Sequence, residues 1–263
     1  MGSRERAHLS YARLVSLPRP SDYVAPPRPR VRDALRTMSV AALEVPRYLA
    51  RLAVHDLVEA PSTTTEEGLH ATASSFRRTL ARLGLELEVL HAERVPREGG
   101  LVLMWNQESH LDHLVLASAI PRAFFSLMNN ELAATPIYGA HMRKTGHVHV
   151  DRTNESQWRP QVAGAAERVA KGECVLISPE GTRSWDGRLL PMKRGAFILA
   201  AASGRPIVCV TVIGGHARMP RGSAVVRAGK LRVVFSDCIE NDGGDLVEQV
   251  TETFTALKAS YAL

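Results

Sequence analysis

From Leu85 to Phe235 short apolar runs alternate with stretches of helical spacing, and this alternation restricts the chain to a sheet with helices packed on it. Leu101–Trp105, Cys174–Ile177 and Pro206–Val212 are too short for ordinary helices and have the continuous apolar character of buried strands. Further strands are expected near 123–128, 147–150, 224–228 and 231–235, and helices near 111–120, 131–143, 157–171, 193–203 and 245–260. Ahead of them Leu85, Leu87 and Val89 alternate with Glu86 and Glu88, the period of a half-exposed strand. The fold class is therefore α/β. At 263 residues the chain has room for one such domain and a helical appendage.

The appendage is expected over residues 31–84, after a Pro/Arg-rich arm at 1–30 and before an α/β domain at 85–263. Leu35, Met38, Ala42, Val45, Leu49 and Leu52 recur on one face of a helix that Pro46 should kink or divide. Arg28, Arg30, Arg32, Arg36, Arg47 and Arg51 make the same stretch basic. Its apolar face is expected to cap the main domain, leaving the arginines to meet an anionic bilayer; the alternative is a helix lying on that bilayer with its apolar face in the acyl boundary. A second helix should start near Thr63, where Thr63 with Glu66 or Thr64 with Glu67 offers a capping box. Leu69, Ala73, Phe76, Leu80 and Leu83 form its buried stripe, and Gly84 ends it.

A net charge of +6 suits a phosphate-bearing partner without choosing between lipid, nucleotide and nucleic acid. Aromatic residues, at 5%, are too few for the stacking platforms of a nucleic-acid binder. No run approaches the roughly 18 apolar residues of a membrane span, and the first 20 residues lack a signal peptide's apolar centre. A cytoplasmic protein with peripheral membrane contact is expected. Cys174, Cys209 and Cys238 lack metal-ligand spacing and are assigned to core packing.

Polar clusters follow several of the strands. Asn106-Gln107-Glu108-Ser109-His110-Leu111-Asp112-His113 follows Leu101–Trp105, and Asp151-Arg152 follows the strand near 147–150. Ser178-Pro179-Glu180-Gly181-Thr182-Arg183-Ser184 supplies a glycine for close backbone approach, a hydroxyl, a guanidinium suited to two-pronged phosphate binding and a carboxylate to orient it. Taken alone, Glu180 and Arg183 also fit a surface ion pair. His147 and His149 share one side of a strand and read as packing or surface residues unless a further ligand joins them.

Together these clusters resemble the four sequence blocks of the glycerolipid acyltransferases, the lysophosphatidic acid acyltransferase family. Asn106, Ser109 and Asp112 match its N-H-x-S-x-x-D block, Asp151 and Arg152 its D-R, Pro179 to Ser184 its P-E-G-T-R-S, and Pro206 to Val210 its P-I-V-P-V strand with Cys209 at the second proline. The likeness covers about residues 85 to 238. It implies a mixed sheet flanked by helices and acyl transfer from a thioester on coenzyme A or acyl carrier protein to a hydroxyl of a phosphate-bearing lipid. No further cofactor and no metal are implied. In the family's mechanism the block-one histidine is the general base and the aspartate five residues on orients it. Arg152, Glu180, Gly181, Thr182 and Arg183 are the expected acceptor-phosphate contacts.

Gln107 stands at the position of that histidine. A neutral amide donates a hydrogen bond to a hydroxyl or an oxyanion but takes no proton. His110 and His113 are the substitute bases the sequence offers, beside an altered acyltransferase that relies on positioning or a more nucleophilic acceptor. A non-catalytic phosphate-lipid-binding protein on the same fold is the alternative. Glu108-x-His110-x-Asp112-His113 also falls one residue short of the H-x-H-x-D-H zinc motif, which raises a metal-dependent hydrolase using His110, Asp112 and His113, with His141, His147, His149 and His216 as further ligands.

Overall fold

The computed structural model describes residues 22–58, 66–129, 137–150 and 155–263. In chain order the elements are α1 (Val31–Val58), α2 (Glu66–Arg82), β1 (Leu85–Leu90), β2 (Leu101–Trp105), α3 (Asp112–Ala119), β3 (Phe125–Asn129), α4 (Tyr138–Lys144), β4 (Val148–Val150), α5 (Glu155–Ala170), β5 (Cys174–Ile177), α6 (Arg194–Ser203), β6 (Ile207–Ile213), α7 (Gly215–Arg218), β7 (Gly229–Phe235) and α8 (Leu246–Ser260).

The strands form one mixed sheet in the order β1-β7-β6-β2-β5-β3-β4. Only β6 and β7 pair antiparallel, so β2, β3, β4, β5 and β6 run the same way and end at one edge of the sheet. β2 lies between β5 and β6 and is buried throughout, as its uninterrupted apolar run requires. Leu101, Leu103 and Trp105 pack towards α2 and α3, while Val102 and Met104 pack with α5, α6 and α8.

Gly100 lets β2 enter this sandwich, because a Cβ there would meet the carbonyl oxygen of Val169 and the Arg205 side chain. Gly100→Ala should therefore lower stability by about 1–3 kcal/mol, read as a lower urea midpoint at unchanged slope.

Three expectations are corrected. First, Pro46 does not divide the helix, since α1 runs continuously through it. Pro46 and Ala42 lie on the exposed side, where water reaches the carbonyl that proline cannot serve. Second, the apolar stripe of α1 does not cap the sheet, since Leu35, Met38 and Val45 are more than half exposed and only Leu52 of the stripe is buried. The helix is held instead by its polar start, where Arg36 donates to Asp33 at 2.6 Å and Thr37 Oγ1 accepts from Val226 N at 3.0 Å.

Third, 224–228 is not a strand. Much of its backbone is engaged elsewhere, Val226 by Arg36 and Thr37 and Arg227 N by the Arg218 carbonyl, which takes these groups from any sheet neighbour. Among smaller differences, α4 spans 138–144 where a helix was expected over 131–143, with 131–136 outside the described residues. Cys238 is exposed rather than core, while burial pushes the thiols of Cys174 and Cys209 up to about 12. The capping residues Thr63 and Thr64 lie outside the described residues, as does most of the arm. No helix among the described residues is long and apolar enough to cross a membrane.

Candidate active site

The loops after the adjacent strands β6, β2 and β5 meet at one edge of the sheet, and hydrogen bonds fix each against the others. Asn106, the first residue beyond β2, extends the sheet with its side chain: Oδ1 accepts from Val212 N at 2.7 Å and Nδ2 donates to Val212 O at 2.8 Å. Ser109 Oγ donates to Met219 O at 2.9 Å and accepts from Leu111 N at 3.1 Å. Asp112, in the first turn of α3, turns its carboxylate back so that Oδ2 accepts from Glu108 N at 2.8 Å and Ser109 N at 2.9 Å. Its other oxygen, Oδ1, is buried and accepts no hydrogen bond. Burial holds the Asp112 carboxyl well above the usual carboxylate range against the pull of the Ser109 N–H.

Glu180 crosses from the β5 loop to the β2 loop. Oε1 accepts from Gln107 N at 2.7 Å and Oε2 from Leu190 N at 2.7 Å, so one buried carboxylate ties the two loops together. Burial raises its pKa to about 7, with the Leu190 and Gln107 N–H groups and Lys258 opposing. Gly181 takes a positive φ of 63°, which lets the chain turn there, and its N–H donates to Ser178 Oγ at 3.3 Å. Thr182 is half-buried in the same turn. The Arg183 carbonyl accepts from Arg221 at 2.9 Å, and Arg221 stacks on Trp185.

Gln107 sits half-buried between these loops, and its side-chain amide hydrogen-bonds to no described residue. His110 and His113 both line a cavity of about 700 Å³ between α1, α2, α3, α4 and the sheet. Burial and then the Arg183 charge lower the pKa of His110. At His113 burial, His110 and Arg183 act the same way, and its ring stands edge-on to Trp105 with centroids 5.8 Å apart. Both imidazoles are thus neutral at pH 7 and able to accept a proton.

The structure therefore brings Gln107, Asp112, His110, His113, Glu180, Gly181, Thr182 and Arg183 to one edge of the sheet, while Asp151 and Arg152 lie outside the described residues. No three His, Cys, Asp or Glu side chains among the described residues converge as metal ligands. Lys258 of α8 was not foreseen. It pairs with the buried Glu108 and donates to Gly187 O at 2.9 Å, tying the end of the chain to the site. A lysine in the last turn of an amphipathic helix carries no sequence signal of such a contact.

The model of the family described as Acyltransferase matches residues 86–213, which contain every one of these loops up to Ile213. Residues 86–213 are an acyltransferase domain. It is 34% identical over 147 residues to the chloroplastic 1-acyl-sn-glycerol-3-phosphate acyltransferase of Brassica napus, a match covering 56% of this chain and 42% of that protein. To the 1-acyl-sn-glycerol-3-phosphate acyltransferase of Salmonella typhimurium it is 28% identical over 138 residues, 52% of this chain and 56% of that one. The chain thus spans about half the length of the curated relatives it matches. The fold of this chain is that of the crystal structure of the 1-acyl-sn-glycerophosphate acyltransferase PlsC from Thermotoga maritima, with a TM-score of 0.75, 20% identity, and coverage of 89% of this chain and 99% of that one.

Proposed function

We propose that this protein transfers an acyl group from an acyl thioester to a hydroxyl of a glycerol-phosphate lipid at the edge where the β2 and β5 loops meet. The observation that carries the reading is the pair of loops clamped by Glu180, with the buried Asp112 carboxylate held by the β2 loop, beside a 700 Å³ cavity. The names of the relatives, acyltransferases of 1-acyl-sn-glycerol 3-phosphate, supply the acceptor class. Coenzyme A and acyl carrier protein are the donor carriers to compare, and neither asks for a metal or a further cofactor.

In this reading the acceptor oxygen attacks the thioester carbonyl, a C–O bond forms, the C–S bond breaks, and the thiolate leaves with the proton. Arg183 and the Gly181–Thr182 turn hold the acceptor phosphate, with Arg152 joining them, and positioning makes the attack effectively unimolecular. The Gln107 amide donates to the developing oxyanion, while the neutral imidazoles of His110 and His113 are the proton acceptors nearest in sequence. The cavity receives the acyl chain. The exposed Leu35, Met38 and Val45 of α1, among Arg32, Arg47 and Arg51, rest on an anionic membrane surface and keep the protein peripheral to it.

The test is transfer from long-chain acyl thioesters to glycerol phosphate, lysophospholipids and amines. Arg183→Ala should raise the acceptor KM about 10- to 100-fold with a smaller effect on kcat, because a charge-assisted hydrogen bond to phosphate is removed. An unchanged KM sinks the phosphate assignment. A second reading, a phosphate-lipid-binding protein without catalysis, is favoured by Gln107 alone. It predicts binding of phosphate lipids with no transfer to any acceptor.

A further inference from the structure

The cavity wall holds a polar pair that the transfer chemistry does not use. Ser126 of β3 is buried, and both it and His147 line the cavity. Ser126 N–H donates to His147 Nδ1 at 3.0 Å, and Ser126 Oγ lies 2.7 Å from the same atom. A backbone N–H can only donate, so Nδ1 is the unprotonated nitrogen and the ring hydrogen sits on Nε2. Burial first, and then the neighbouring His141, His149, Arg168 and His113, drive the pKa of His147 down to about 4, which keeps the ring neutral.

Its Nε2–H donates to no described residue. By contrast, the hydroxyls of Thr79 and Thr145 on the same wall are spent on carbonyls of their own helices. His147 thus presents one fixed, neutral hydrogen-bond donor from the sheet side of a cavity whose helical walls also carry Tyr48, Tyr138 and several arginines.

The depth of this donor follows from the strand register. Ser126 is level with Leu176, and Leu176 with Leu103, two residues short of the end of β2. That is about 7 Å below the reacting edge, and β3 lies two strands across, about another 10 Å. Ser126 is therefore roughly 12 Å from the end of β2 on these spacings. It cannot be a nucleophile towards a thioester held at Gln107, and its backbone N–H, already given to His147, is not free to hold an oxyanion.

We propose that the cavity selects acyl chains bearing a hydroxyl or keto oxygen near mid-chain, and that His147, held in one tautomer by Ser126, is the donor that recognises it. This rests on the proposed reading that the cavity receives the acyl chain. A plain chain would strip water from Nε2–H and leave it unpaired, whereas an oxygenated chain replaces that water.

The test uses non-reactive thioether analogues of acyl-pantetheine of one length, either plain or with an oxygen at carbon 3 or at mid-chain. The full chain should bind the mid-chain form roughly ten- to hundredfold more tightly than the plain one, with no such gain for an oxygen at carbon 3. His147→Phe should abolish that ratio while keeping affinity for the plain chain; a merely structural role for His147 would weaken both ligands alike. Equal affinity of the full chain for plain and mid-chain forms, or a preference that survives His147→Phe, overturns the proposal. Ala117→Phe, which fills the cavity from α3, separates the two levels of the argument. If it weakens neither ligand, the acyl-chain reading of the cavity fails and the selection goes with it; if it weakens both, only the mid-chain preference remains in question.

Discussion

Replacing Gln107 by histidine should raise the rate of acyl transfer by about 10² to 10⁴, the usual value of a positioned general base. The carboxylate that would partner the imidazole is retained. Asp112 keeps one oxygen on the backbone of its own loop and leaves Oδ1 buried without a hydrogen bond, an arrangement costly to keep with nothing to bind. A histidine at 107 would give that oxygen an N–H to accept, which fixes the tautomer and steadies the imidazolium formed on proton transfer. The same contact should lower the Asp112 pKa and add stability, so Gln107→His should melt higher as well as turn over faster. Asp112→Asn placed on top of Gln107→His should remove most of the gained rate. Assays of the three chains with one thioester and one lysophospholipid, alongside thermal melts, check all of this together.

Glu180→Ala should cost about 2–5 kcal/mol of stability, because it leaves the Gln107 and Leu190 N–H groups without an acceptor in a largely buried setting. Activity should fall with it, since the clamp between the two loops is lost. The clamp also sets a pH dependence. In the folded protein Glu180 titrates near 7, above its ordinary value of 4.5, so the folded state binds more protons than the unfolded one between those values. Its contribution is accordingly favourable below about pH 4.5 and declines as pH rises through 7. Urea midpoints of the unaltered chain should carry this downward component between pH 5 and 7, and Glu180→Ala should remove it. An identical pH profile in the two proteins would show that Glu180 does not titrate as described.

The central strands were readable because β2, β5 and β6 are buried on both faces and leave uninterrupted apolar runs. The stripe of α1 was readable as a stripe, but which way it faced was not. Periodicity identifies an apolar face and says nothing of its partner, and here a short polar anchor at Asp33, Arg36 and Thr37 decides the packing. The residues at 224–228 have strand composition, yet side chains more than 180 positions away take up their backbone groups.

At the site, Asn106 to His113 and Ser178 to Ser184 fall on the loops after β2 and β5, adjacent parallel strands that end at the same edge of the sheet. What joins them was hidden. The Glu180 clamp uses backbone N–H groups, which any residue supplies, and the pairs Glu108–Lys258 and Ser126–His147 depend on tertiary proximity alone.

The most direct test of acyl transfer is mass spectrometry of the lipid formed when the unaltered chain and Gln107→His are incubated with an acyl thioester and a 1-acyl-glycerol 3-phosphate. The account predicts the diacyl product from both, slow from the first and faster from the second by the factor given above, with formation saturable in acceptor and weakened by Arg183→Ala. No diacyl product from either protein, while both still bind the acceptor, would contradict it and leave a lipid-binding protein on an acyltransferase fold.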